Sequence, residues 1–281
     1  MVSKKFTLIT GAGKGLGLAL ARECASRGRN LILIALPNEN LCDTCCQLEN
    51  EYDIIAHFFE IDLTNVSAME SFIQRDMHNF SIDMLINNAG TGGSKPIDTV
   101  SSEYIDNIIM LNIRALSILT HALIPELKKH EKSYVLNVGS IAAFSPFPFK
   151  TVYPASKAFV NSFSLGLKAE LSNTPVRVCV VNPGPVLTNG DVIDRINKYG
   201  YLGRISALTP EKAANICISA VLKGNGRVLP GIMTKLNYLA FKLIPCSIRL
   251  YFIRRMVSRE LKVKIESEEL INQHIPVKTA I

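Results

Sequence analysis

Tyr153 and Lys157 stand four residues apart in a stretch of helical pattern, which places both side chains on one face. A free tyrosine keeps its proton up to a pH of about 10, too high for acid–base work near neutrality. A neighbouring ammonium favours the phenolate and draws that value toward the working range. Ser140 ends an apolar run thirteen residues before Tyr153, where its hydroxyl can donate to a carbonyl oxygen. Asn112 falls in the middle of a helical pattern, where asparagine has poor propensity, so a tertiary role is expected of it. Singly, each has a plainer explanation: Tyr-x-x-x-Lys pairs are common on helices, and Ser140 alone is an ordinary turn residue.

A second group could hold phosphate. Thr10-Gly11-Ala12-Gly13-Lys14-Gly15-Leu16-Gly17 leaves an apolar strand and opens a helix. Glycines in such a turn let backbone amides approach a pyrophosphate seated at the positive end of the helix. The spacing is T-G-x-x-x-G-x-G; G-x-G-x-x-G fails, because Leu16 stands three after Gly13. Asp62-Leu63 and Asn87-Asn88-Ala89-Gly90 follow the third and fourth strand patterns, at the edge where open α/β sheets bind ligands. The plainer readings are that Asp62 caps the next helix and that Asn88 satisfies buried backbone groups. For Asn88 both readings are compatible, since its side chain can brace the wall of a ligand site.

The elements that must position these residues alternate. Phe6–Thr10, Leu31–Leu36, Ile54–Phe59, Met84–Asn87, Tyr134–Val138 and Val176–Asn182 read as strands, with Gly226–Leu229 a short seventh. They are nearly all apolar, as strands covered on both faces are. Helical patterns lie near 15–28, 39–51, 66–79, 101–129, 151–172 and 210–223. This predicts right-handed crossovers and an α/β fold: one doubly wound parallel sheet of about seven strands, helices on both faces. Residues 1–231 form that domain, 232–264 a basic, apolar-rich helical extension, and 265–281 a polar tail. Ile232–Ile244 reads as an amphipathic helix ended by Pro245, with Lys235 and Lys242 on its polar side and Ile232, Leu236, Leu239 and Leu243 opposite. Over 247–261 the arginines do not segregate to one face.

With 281 residues, 48% of them hydrophobic and 20% charged, the chain is neither disordered nor fibrous. The net charge of +7 is local: residues 235–264 hold eight Lys/Arg and one acid, leaving 23 basic and 23 acidic residues elsewhere. A nucleic-acid groove would spread its charge over a domain, so no nucleic-acid partner is expected. Seven scattered cysteines, an odd number, suit reduced thiols better than a disulfide framework. Cys42, Cys45 and Cys46 lack a second Cys/His cluster, so no metal site is expected. Met1–Thr10 reads as a strand and no run reaches about 18 uncharged apolar residues, so the expected location is cytoplasmic, with peripheral membrane contact through 232–264.

The glycine turn, N-N-A-G, Asn112, Ser140, Tyr-x-x-x-Lys and Pro183-Gly184 together resemble the short-chain dehydrogenases/reductases in order and spacing, over about residues 5–230. The resemblance implies a single Rossmann domain that binds a nicotinamide cofactor. It implies Tyr153 as proton donor, Ser140 orienting a carbonyl, Lys157 binding the nicotinamide ribose while lowering the tyrosine pKa, and Asn112 holding a water. Cofactor contacts are implied for Thr10, Gly11, Gly13, Lys14, Gly15, Leu16, Gly17, Asp62, Leu63, Asn88, Ala89, Gly90, Tyr153, Lys157, Pro183, Gly184, Val186 and Thr188. It also implies a homodimer or homotetramer.

No acidic residue occurs in Ile34-Ala35-Leu36-Pro37-Asn38 to bind a ribose 2′-hydroxyl, and the family's usual NADP arginine is missing too. Lys14 tips the expectation toward NADP(H) over NAD(H). Phe144, Phe147 and Phe149 lie between Ser140 and Tyr153, and the segment 187–206, which the resemblance implies is the substrate lid, is rich in apolar residues. An apolar carbonyl or alcohol substrate of 3-oxoacyl, long-chain or steroid type is therefore expected. The alternative is a cofactor-binding sensor or scaffold of the same fold without turnover. The extension is expected to pack over the cleft, on a second subunit or on a membrane.

Overall fold

Unbroken apolar, β-branched strands must be covered on both faces; the five central ones are, whereas the edge strand Ala56–Glu60 leaves His57, Phe58 and Glu60 exposed. In the computed structural model, which describes residues 4–188, 207–255, 257 and 258, seven strands form one sheet. They are β1 (Lys5–Thr10), β2 (Asn30–Ala35), β3 (Ala56–Glu60), β4 (Ser81–Asn87), β5 (Ser133–Val138), β6 (Val176–Val181) and β7 (Arg227–Val228). The order is β3-β2-β1-β4-β5-β6-β7, with every pair parallel. Winding reverses between β1 and β4, so a crevice opens there at the carboxyl ends of the strands.

The helices are α1 (Gly15–Ala25), α2 (Leu41–Tyr52), α3 (Val66–Ser71), α4 (Ser102–Ile109), α5 (Leu116–Leu127), α6 (Val152–Glu170), α7 (Pro210–Leu222) and α8 (Ile232–Leu243). Alternate residues of each strand feed opposite cores. Ile9, Leu33 and Val181 pack with Leu20 of α1 and Ile218 of α7 on one face. Leu8, Ile34 and Val135 pack with Leu119 of α5 and Leu167 of α6 on the other.

Several boundaries differ from the predicted ones. β2 stops at Ala35 and α2 starts at Leu41, because Asn38 and Asn40 both adopt left-handed φ, 68° and 54°. Asparagine tolerates that region, so the pair makes a tight reversal. The helix predicted over 101–129 runs over Ser102–Leu127, but a π-helical turn, Met110–Ala115, separates α4 from α5. By length and composition this run is apolar enough to cross a membrane; here Leu116, Leu119, Leu123 and Leu127 are buried in the protein. Likewise, 66–79 divides into α3, a π turn and a short 3-10 turn.

In the extension, the apolar stripe Ile232, Leu236, Leu239 and Leu243 is exposed. α8 docks by its other side: Thr234 is buried, the Tyr238 ring meets Phe144 at 4.6 Å between centroids, and Phe241 meets Phe147 at 6.3 Å. Residues 246–255 form a further helical segment, in which Ile253 is buried and Arg249 Nη1 donates to the Phe144 carbonyl at 3.3 Å.

Candidate active site

The glycine turn joins β1 to α1, and its backbone dictates its residues. Gly11 and Gly15 take left-handed φ of 65° and 56°. A Cβ on Gly17 would lie 1.8 Å from the Gly11 carbonyl oxygen, so no side chain fits. α1 begins without a side-chain cap, leaving its first N–H groups and its positive end for an anion. The turn is braced from β4: Thr10 Oγ1 accepts from the amides of Asn88 (3.0 Å) and Ala89 (3.1 Å). Asn88 Nδ2 donates to the carbonyls of Thr10 and Gly11, both at 3.0 Å.

The cleft beside this turn measures about 510 Å³. Of the residues expected at a cofactor, Gly11, Lys14, Gly15, Leu16, Gly17, Asp62, Leu63, Asn88, Ala89, Gly90 and Thr188 line it. Thr10 braces from behind, Gly13 lies against Glu39, and the Pro183 carbonyl accepts from Ile141 N at 2.9 Å. Gly184 and Val186 do not line this cleft either. Asp62 is not a helix cap: its Oδ1 accepts from Thr64 N and Thr64 Oγ1, while Asn65 caps α3 through Ala68 N. Ile34, Leu36 and Ile61 add an apolar wall. An uncapped helix end, a turn closed to any Cβ and this wall suit an adenine dinucleotide. The lid over 189–206 lies outside the described residues.

Glu39 is the residue that sequence reasoning missed. No acid occurs through Asn38, but the left-handed asparagines on either side turn Glu39 back over the glycine loop. There its Oε1 pairs with Lys14 Nζ at 2.7 Å on the cleft wall. The Asn-Glu-Asn triplet was the available signal.

The second cluster lies beyond Gly90. Lys157, on α6, is 5% exposed, and its Nζ donates to the Val138 carbonyl at the end of β5, 2.9 Å away. Burial pushes its pKa down to about 8. A Cβ on Gly90 would stand 3.2 Å from both Lys157 Nζ and Asn112 Oδ1, so the glycine lets both approach the β4 loop. The Tyr153 ring covers Gly92, and Lys157 Nζ lies 5.9 Å from its centroid.

Asn112 owes its place to the π turn, a helix irregularity common at functional sites. Its Oδ1 accepts from Thr91 N and its Nδ2 donates to Thr91 O, both at 2.9 Å. Nδ2 also donates to Ser156 Oγ at 3.0 Å, and Ser156 Oγ donates to the Tyr153 carbonyl at 2.7 Å. Ser156 thus couples Asn112 to the tyrosine backbone, a link visible only in three dimensions. Ser140 opens the turn Ile141–Phe144: its Oγ accepts from Ala142 N, and its own N–H donates to Asn182 Oδ1, each at 3.1 Å.

A sequence model of the family described as short chain dehydrogenase matches residues 5–195. Very-long-chain 3-oxoacyl-CoA reductase-B of Danio rerio is 29% identical over 252 residues, 87% of this chain and 77% of that one. NADP-dependent 3-hydroxy acid dehydrogenase YdfG of Escherichia coli (strain K12) is 31% identical over 213 residues, 73% of this chain and 84% of that one. Among solved structures, the short-chain dehydrogenase from Sphingobium yanoikuyae in complex with NADPH aligns with a TM-score of 0.72 at 23% identity, covering 99% of this chain and 98% of its own. A 7beta-hydroxysteroid dehydrogenase aligns with a TM-score of 0.78 at 20% identity, covering 89% and 96%. At these identities the structural likenesses carry the fold.

Proposed function

The chain belongs to the short-chain dehydrogenase family, and we propose that it is an NADP(H)-linked oxidoreductase that reduces an apolar, lipid-like ketone of 3-oxoacyl, long-chain or steroid type. The observation that carries the reading is the buried Lys157 ammonium, held on the Val138 carbonyl beside Tyr153 and Asn112. Burying a cation with one carbonyl partner is costly unless a ligand uses it.

The nicotinamide cofactor, when bound, supplies the hydride. Gly11, Gly15, Gly17 and the open end of α1 hold its diphosphate, and Lys14 meets a 2′-phosphate. Tyr153 donates its phenolic proton to the carbonyl oxygen, and the Ser140 hydroxyl orients that oxygen. Lys157 holds the nicotinamide ribose, and its positive charge stabilises the phenolate left after transfer. Asn112 spends its amide on Thr91 and Ser156; the second lone pair of Oδ1 is left for a water that returns the proton.

The names of two relatives, an acyl-CoA reductase and an NADP-dependent enzyme, support the substrate class and the cofactor. So do Phe144 and Phe147, which follow Ser140 and are packed by the aromatic side of α8. Exposed Ile109, Phe159 and Leu165 on α4 and α6 support a homodimer or homotetramer through those helices. The test is a panel of 3-oxoacyl, long-chain and steroid ketones with NADPH and with NADH, followed by loss of reduced-nicotinamide absorbance. Turnover with NADPH and an apolar ketone is expected; NADPH binding without turnover on any of them would make the protein a sensor instead.

A further inference from the structure

Of the fifteen large apolar side chains exposed among the described residues, eight lie between 232 and 252. Four belong to α8, where Ile232, Leu236, Leu239 and Leu243 recur at the spacing of a single helical stripe. They are far from marginal: Ile232 is 76% exposed and Leu243 72%. The helix is nevertheless anchored, since Thr234, Tyr238 and Phe241 hold its other side to the protein. An anchored helix that turns a full apolar stripe to water has a partner to meet.

The basic residues sort by the same division. At a helical turn of about 100° per residue, Lys235 and Lys242 lie on the flank between the stripe and the docked side. In the following helical segment Arg249 is turned inward, donating to the Phe144 carbonyl and covering the Phe241 ring at 5.5 Å. Arg254 and Arg255 stay exposed beside Ile248, Tyr251 and Phe252. Of the described arginines in this segment, Arg249 is taken up by packing while Arg254 and Arg255 face outward.

We propose that this face is a docking surface for an anionic phospholipid bilayer. The occupant follows from charge. Lys235, Lys242, Arg254 and Arg255 are exposed around the stripe and no acidic residue occurs between 232 and 258, so two copies meeting through this face would bring like charges together. An anionic bilayer accepts both components: leucines enter the acyl boundary, while the lysine stems lie along it with their ammonium groups at the phosphates. The seat would place Phe144 and Phe147, on the inner side of α8, near the lipid. It does not depend on the identity of the ketone.

The test is flotation of the full-length protein with phosphatidylcholine vesicles, with and without phosphatidylglycerol. Binding is expected on the mixed vesicles, at least about tenfold weaker on neutral ones, and reversed by salt. Combining Leu236→Ser, Leu239→Ser and Leu243→Ser should reduce binding about tenfold or more, as should Lys235→Glu with Lys242→Glu. All five side chains are exposed, and unchanged thermal melting would verify folding. Wild-type protein that ignores anionic vesicles, or binds neutral ones equally, overturns the proposal. So does a triple-serine variant that still binds, or one that turns a dimer into a monomer when the wild type binds no lipid.

Discussion

Lys14 and Glu39 close an ion pair on the wall of the dinucleotide cleft, Nζ to Oε1 2.7 Å, with the lysine side chain 81% exposed and the glutamate 17%. The cation expected to meet a 2′-phosphate is thus already engaged by a carboxylate, and that carboxylate would repel the phosphate. The two residues pull cofactor choice in opposite directions.

Removing each separates their effects. Lys14→Ala should weaken NADPH about tenfold and leave NADH nearly unchanged. Glu39→Gln should tighten NADPH severalfold and leave NADH unchanged or weaker, because a ribose 2′-hydroxyl loses an acceptor. Fluorescence titration of both cofactors measures this. Equal changes for the two cofactors would mean that neither side chain reads the 2′ position.

Tyr153→Phe retains the ring that covers Gly92 and removes only the transferable proton. Turnover should fall about 10²–10⁴-fold with cofactor affinity intact. Ser156→Ala tests the support behind it, since Ser156 links the Asn112 amide to the Tyr153 carbonyl. A drop of about tenfold in kcat, with Kd for NADPH unmoved, is expected of a misplaced tyrosine. A change in KM alone would argue that Ser156 serves only packing.

Lys157 gives the site a pH signature. Burial lowers its pKa from 10.5 to about 8. Between those values the unfolded chain holds the proton and the folded chain does not, so stability of the cofactor-free protein should rise with pH across that window. Below about 8 both states are protonated and the full penalty is present. Lys157→Met should remove the slope in urea midpoints measured from pH 7 to 10. Reduction should follow the opposite course, with kcat/KM falling as the ammonium is lost above about 8.

Gly17→Ala should disable the nucleotide site. The new Cβ would meet the Gly11 carbonyl oxygen at 1.8 Å and Asn88 Nδ2 at 2.7 Å, and the first of these is backbone that must move. NADPH affinity should fall at least about a hundredfold, with a lower melting temperature. A variant that binds NADPH normally would show that the turn relaxes freely.

Much of this is legible in the sequence. Unbroken strands imply two-sided burial, and Tyr153 and Lys157 share a face wherever a helix covers them. Three features were not legible, each for a physical reason. Glu39 reaches the cleft only because Asn38 and Asn40 both turn left-handed, a conformation asparagine permits but does not require. Asn112 is aimed by a π turn, which shifts the helical phase in a way that hydrophobic periodicity hides. α8 is apolar on two sides, so its pattern marked a stripe without saying whether that stripe or the Tyr238–Phe241 side lies against the protein.

That aromatic side offers the last prediction. Tyr238 meets Phe144 edge-on, accepts a hydrogen bond from Arg227 Nη2 at 3.0 Å, and lies 5.2 Å from the Arg227 guanidinium carbon. Phe144 closes the turn that Ser140 opens, so loosening this contact should be felt by the substrate before the cofactor. Tyr238→Ala should cost about 1–3 kcal/mol of stability, as loss of a half-buried aromatic pair does. It should raise KM for a long-chain ketone severalfold, with NADPH affinity unchanged. Tyr238→Phe retains the ring and loses only the hydroxyl acceptor, so it should stay within about twofold of wild type in KM. Parallel losses in the two variants would assign the contact to the Arg227 hydrogen bond. An unchanged KM in Tyr238→Ala would detach α8 from substrate binding altogether.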